Sequence, residues 1–159
     1  MPGGTGKTIT KYLVIVILAL DQLTKYIVSR GIPLGASVPV VKNVFHLTYV
    51  LNSGAAFGIL KNQTYFFITV AIAAVVFIIV ILSRRQEGPE RYALYLILAG
   101  AVSNLIDRVR LGAVIDFLDF RIWPVFNIAD SAITIGAIVL AYSILKSKKT
   151  AATTKRLPN

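Results

Sequence analysis

Thr64–Leu82, TYFFITVAIAAVVFIIVIL, is nineteen consecutive residues without a charge. As a helix rising about 1.5 Å per residue it nearly matches the ~30 Å hydrocarbon core of a bilayer. The whole composition agrees. The 159-residue chain is 56% hydrophobic and 15% charged, where soluble domains carry roughly 25% charged residues. An integral membrane protein of one embedded domain, residues 1–159, is expected.

Outward from this span, three more apolar stretches follow the same pattern. SRRQEGPER, with Gly88-Pro89, makes a short charged turn that leads into a span over about 92–109. A connection, RLGAVIDFLDFRIWP, separates it from a fourth span over about 127–145, and KSKKTAATTKRLPN reads as a polar basic tail. On the N-terminal side, YLVIVILAL continues into DQLTKYIV without a small-x-small cleavage site, so a retained helix over about 9–28 is expected rather than a removed signal peptide. Between the first two spans, residues 31–63 carry Pro33, Pro39, four glycines and the β-prone run VFHLTYVL, which predicts two or three short strands. The fold class is therefore all-α membrane, with four transmembrane helices and a small β-rich extracytoplasmic element between helices 1 and 2.

Charge orients this arrangement. The terminal segments and the 84–91 turn carry a net +8 and the rest of the chain only +2, so both termini are placed in the cytoplasm, with segments 31–63 and 110–126 outside. The same clustering beside apolar spans explains the net charge of +10 without nucleic acid. GGTGKT near the start lacks the first glycine of a phosphate-binding loop, whose place falls on Met1, and no strand precedes it; a loose basic tail is expected there.

Several chemistries are excluded or narrowed. There is no cysteine, which removes disulfides, thiol nucleophiles and thiolate metal sites. A Ser-His-Asp triad would have to use the single histidine, His46, and no HExxH motif exists. No metal or cofactor is expected.

What remains is carboxylates. On the assigned topology Asp21, Asp107, Asp116, Asp119 and Asp130 all fall in the outer half of the membrane or just outside it, although ionisable residues at membrane depth are rare and usually functional. Each has a plain structural reading. Asn127-x-x-Asp130 resembles a capping box. Asp21 and Lys25 are spaced i,i+4 and neutralise each other. Asp107-Arg108 reads as a local ion pair, and Asp119 as a solvated residue. Yet spans 3 and 4 and their connection bring three carboxylates to one surface. Two carboxylates close together in a low dielectric share one proton: the ionised member takes a proton from water and the protonated one donates to a carbonyl. Asp107, Asp116 and Asp130 are all candidates on this ground.

The chain also resembles the lipoprotein signal peptidases (signal peptidase II), aspartic membrane proteases of bacteria. The resemblance covers about residues 12–145 and is carried by DQLTK at 21–25, NSGAAFG at 52–58, NLIDRV at 104–109, VIDF at 114–117 and FNIADS at 126–131. It implies that Asp116 and Asp130 are catalytic and that Asp107 supports the site with Asn104 and Arg108, through Arg108 or a backbone contact. Asn52, Gly54, Asn127 and Ala129 lie in motifs near the active site, Asn52 and Asn127 orienting the dyad or binding the substrate backbone. Asp21 and Lys25 belong to a motif that is structural rather than catalytic. Phe57 is a lipid or substrate contact. The implied reaction is cleavage of a diacylglyceryl-modified prolipoprotein on the N-terminal side of its lipidated cysteine, at the outer face of the bacterial inner membrane. Prolipoproteins and membrane lipids are the implied partners, with a monomeric chain. The family often has Gly-Gly-Ala-x-Gly before the asparagine; here Ala99-Gly100-Ala101-Val102-Ser103 stands there, still small enough for close helix packing.

Two other functions compete with this one. A Ser-Lys dyad would use Ser53 with Lys25, Lys42 or Lys61. A small proton-coupled membrane transporter would use Asp21 and Asp130 as relay groups, but such sites sit near the midplane on internal repeats, and the two halves of this chain show none.

Overall fold

A computed structural model describes residues 4–54, 63–84 and 88–154. Four helices form the body: α1 Gly4–Gly31, α2 Thr64–Arg84, α3 Pro89–Leu111 and α4 Ile128–Thr154. Each contains a segment long and apolar enough to cross a membrane, α2 with the highest mean hydropathy, 3.1. The described residues also form three strands: β1 Ser37–Val41, β2 Phe45–Asn52 and β3 Val114–Asp119.

The helices run further than the apolar pattern suggests. α1 starts at Gly4, so most of GGTGKT is helical backbone rather than a loose tail. α4 continues to Thr154, well into the segment read as a polar tail, because Lys, Ser and Ala there do not break a helix already propagating from the bilayer. At the α2–α3 turn Pro89 sits in the first turn of α3, where its missing N–H is no loss. α3 ends at Gly112, whose left-handed φ of 74° lets its N–H return to the Arg108 carbonyl.

α3 is the central element and packs against α1, α2 and α4. Its contact with α4 depends on missing side chains. A Cβ on Gly100 would lie 2.3 Å from the Ala129 carbonyl oxygen, and one on Gly136 would lie 2.7 Å from that of Ala93. Ala93, Ala99 and Ala129 are fully buried. Small residues let the two backbones approach without relying on a hydrophobic drive that lipid cannot supply.

The sheet has the order β1-β2-β3, antiparallel throughout. The sequence pattern placed strands only in residues 31–63, and β1 and β2 lie there. The third comes from the connection before α4. Pairing Leu51 with Ile115 and Asn52 with Val114 joins segments more than sixty residues apart, which local patterning does not reveal. The sheet thus carries Asn52 and Asp116 together to the ends of α3 and α4.

Candidate active site

Each aspartate of VIDF and FNIADS enters the site through its local structure. Asp130 is the third residue of α4, and Asn127 is the N-cap. The Asn127 Oδ1 accepts the Asp130 N–H at 2.8 Å, and the Asp130 Oδ2 accepts the Asn127 N–H at 3.2 Å, a reciprocal cap. The Ala129 N–H, another orphan of the helix start, donates to Asp21 Oδ1 at 2.8 Å. Asp116 lies mid-strand in β3 and is 2% exposed.

Three asparagines hold the two carboxylates by one logic. In each, a donor fixes the amide oxygen, so the NH2 must face a carboxylate. The Gly54 N–H donates to Asn52 Oδ1, and Asn52 Nδ2 reaches Asp116 Oδ2 at 3.0 Å. The Lys25 ammonium donates to Asn104 Oδ1, and Asn104 Nδ2 reaches Asp130 Oδ1 at 2.8 Å. The Asp130 N–H fixes Asn127, whose Nδ2 reaches Asp116 Oδ1 at 2.7 Å. Asn127 therefore links both aspartates.

Behind them lies a buried charge cluster. Lys25, 1% exposed, donates to Asp21 at 2.7 Å, Asp107 at 2.8 Å and Asn104 at 2.9 Å; all three ammonium hydrogens have an acceptor. Asp107 also accepts from the Ile115 N–H at 3.2 Å, which ties the residue beside Asp116 to α3. The expected Asp107–Arg108 pair is corrected here. Consecutive helical residues point in different directions, so Asp107 turns to Lys25. Arg108 instead lies over the Phe67 ring, with its guanidinium 3.5 Å from the Gly54 carbonyl oxygen.

Asp119 is also corrected. It is 5% exposed and accepts from the Thr48 hydroxyl, the Arg121 N–H and the Arg121 guanidinium at 2.7–2.9 Å. Thr48 of β2 and the Arg121 side chain cover it from solvent. Burial opposes its charge, but the Thr48 and Arg121 bonds outweigh that and hold its pKa below the usual carboxylate range. Asp116 behaves oppositely. Burial, then the charge of Asp130, push its pKa up to about 7, although Asn52 and Asn127 pull the other way.

Asp116, Asp130, Asn52, Gly54, Asn104 and Arg108 all line one cavity of about 750 Å³. Its remaining walls are largely apolar: Val114, Ile133 and Ile135, and the 120–126 loop. Around this cavity and the charge cluster behind it the fold gathers Asp21, Lys25, Asn52, Gly54, Asn104, Asp107, Arg108, Asp116, Asn127, Ala129 and Asp130. Ala55–Gly58, with Phe57, and Lys61 lie outside the described residues. Two residues were missed. Gln22 donates to Ser103 and Asp107, and the Ser103 hydroxyl donates to Asp21 at 2.6 Å. Gln22 was legible as a polar group at membrane depth; Ser103 registered only as small.

Comparison with known proteins gives the family and the fold. Residues 13–146 match the model of the family described as signal peptidase (SPase) II. The chain is 44% identical over 138 residues to a lipoprotein signal peptidase of Halothermothrix orenii, covering 86% of this chain and 95% of that one. It is 48% identical over 137 residues to one from Moorella thermoacetica, covering 84% and 90%. A solved structure described as a bacterial membrane enzyme, determined in meso at 2.3 Å, superposes with a TM-score of 0.84 at 32% identity, covering 96% of this chain and 93% of the other.

Proposed function

Because the chain belongs to the signal peptidase II family of membrane proteases, we propose that it is an aspartic-type endopeptidase working through Asp116 and Asp130. Its substrate is a prolipoprotein whose cysteine carries a diacylglyceryl group, cut on the N-terminal side of that cysteine. The observation that carries this reading is the placement of both aspartates on one apolar-walled cavity, joined by Asn127.

One member of the Asp116/Asp130 pair holds the shared proton and donates it to the scissile carbonyl. The other is ionised and takes a proton from the attacking water. A tetrahedral diol forms; the C–N bond then breaks as the second aspartate returns that proton to the departing amine and the first recovers its own. Arg108, beside the Gly54 carbonyl, holds the 52–54 turn at the cavity edge. Lys25 acts through Asn104 and is paired with both Asp21 and Asp107. With the termini in the cytoplasm, the site opens at the outer face, where a substrate's signal helix ends. Lipid chains lie along the apolar wall, and the chain acts as a monomer without a cofactor.

Membership in a protease family sets aside the transporter reading, and against the Ser-Lys reading Lys25, committed to two carboxylates, is poorly placed to act as a base. The test is cleavage of a diacylglyceryl-modified prolipoprotein by purified wild type, Asp116→Asn and Asp130→Asn, each verified as folded. Loss of cleavage in both variants is expected. Normal cleavage by either one would remove that residue from the mechanism.

A further inference from the structure

We propose that Asp119, acting through Arg121, is a positioning residue that sets the apolar outer wall of the cavity and so governs how tightly substrate is held rather than how fast it is cut. This rests on the endopeptidase reading above.

Asp116 and Asp119 are three residues apart on β3, so they face opposite sides of the strand. Asp119 is not among the groups that line the cavity. Its bonds run in two directions. Toward β2 its Oδ2 accepts from Thr48. Toward the next turn its Oδ1 accepts the Arg121 N–H and its Oδ2 the Arg121 guanidinium.

That turn is unusual. Arg121 has a φ of 68°, a left-handed conformation that an L side chain enters only when held there. Ile122 N–H then returns to the Phe120 carbonyl at 2.8 Å. The chain closes where Phe126 and Leu118 exchange backbone hydrogen bonds at 2.7 and 3.1 Å. The loop so formed supplies Phe120, Ile122, Trp123, Pro124, Val125 and Phe126 to the cavity wall.

The Arg121 side chain is 48% exposed, so the ion pair contributes little stability of its own. Its effect is conformational: it selects the backbone turn that presents the wall. None of the bonds that hold Asp116 and Asp130 involves Asp119 or Arg121. Loosening the wall therefore leaves the reacting groups in place and weakens what binds beside them.

The experiment compares the full-length purified wild type with Arg121→Ala, Arg121→Lys and Asp119→Asn on a diacylglyceryl-modified prolipoprotein. Trp123 is the chain's only tryptophan and stands two residues from Arg121, so acrylamide quenching of its fluorescence reports the wall directly. For Arg121→Ala the expected result is a KM raised about three- to tenfold with kcat within about twofold, since ordering the wall is then left to the substrate. Trp123 quenching rises in parallel, and Arg121→Lys, which keeps the cation, restores most of both. Arg121→Ala retains the Thr48–Asp119 bond, so it remains informative if Asp119→Asn fails to fold. An unchanged KM in Arg121→Ala overturns the proposal whatever the fluorescence does, as does a loss of kcat at constant KM. Asp116→Asn serves as the control for the underlying reading. If it cleaves normally the dyad is wrong, while the KM and quenching results still decide the role of Asp119.

Discussion

Replacing Asp116 by Asn is expected to abolish cleavage and yet make the protein more stable above neutrality. Burial and the neighbouring Asp130 raise the Asp116 pKa from an ordinary 3.8 to about 7. A raised pKa in the folded chain means that folding favours the protonated form. The stability this gives is fully present below the unfolded value and is lost as pH rises through about 7. At about 1.4 kcal/mol per pH unit, the raised pKa destabilises the wild type relative to an unshifted carboxyl by roughly 4 kcal/mol at pH 8 and by less than half of that at pH 5. Asparagine removes the charge. It also presents one acceptor oxygen where the carboxylate offered two, so one of the bonds from Asn52 and Asn127 is lost, at roughly 1 kcal/mol. The variant is thus expected to be about 3 kcal/mol more stable at pH 8 and nearly equal to wild type at pH 5. For a chain of this size that raises the unfolding midpoint at pH 8 by about 6–12 °C. Thermal unfolding in detergent at both pH values, with cleavage followed in parallel, measures it. A variant destabilised at pH 8, or shifted equally at both pH values, refutes the reasoning, because Asp116 would then not be an acid held against its charge.

Three further outcomes follow from the same geometry. Lys25→Met leaves Asp21 and Asp107 buried without their cation and is expected to lower stability by about 3–5 kcal/mol; adding Asp21→Asn recovers part of it in the same thermal assay. Gly100→Ala places a methyl 2.3 Å from the Ala129 carbonyl, which forces α3 and α4 apart; a loss of about 1–3 kcal/mol is expected, with cleavage falling because the start of α4 carries Asp130. Asn52→Ala removes a hydrogen bond that lowers the Asp116 pKa. The pH–kcat/KM profile, expected to fall above about pH 7 in the wild type as Asp116 loses its proton, then has its alkaline limb displaced to higher pH.

Much of this architecture is written locally in the sequence. Thr64–Leu82 must be a span because an uncharged run of that length has no other low-energy place. The Asn127–Asp130 cap is legible because it needs only four consecutive residues. Lys25 finds Asp21 because i and i+4 share a helix face. Asp107 against Arg108 failed for the matching reason: adjacent helical positions diverge, and the partner that won, Lys25, lies on a different helix. Asp119 was misread because alternation alone does not say what covers a strand, and β2 reaches it from more than seventy positions earlier.

By itself, then, the sequence determined the membrane class and the four spans, since apolar run length is a short-range property, while the resemblance to signal peptidase II supplied the candidate site residues. Only the tertiary structure decided which partner each polar group took, that β3 joins the sheet, and that Asp116 is the acid pushed up to about 7. Those outcomes depend on burial and on donors delivered from elsewhere in the chain, and neither exists until the helices and strands have packed.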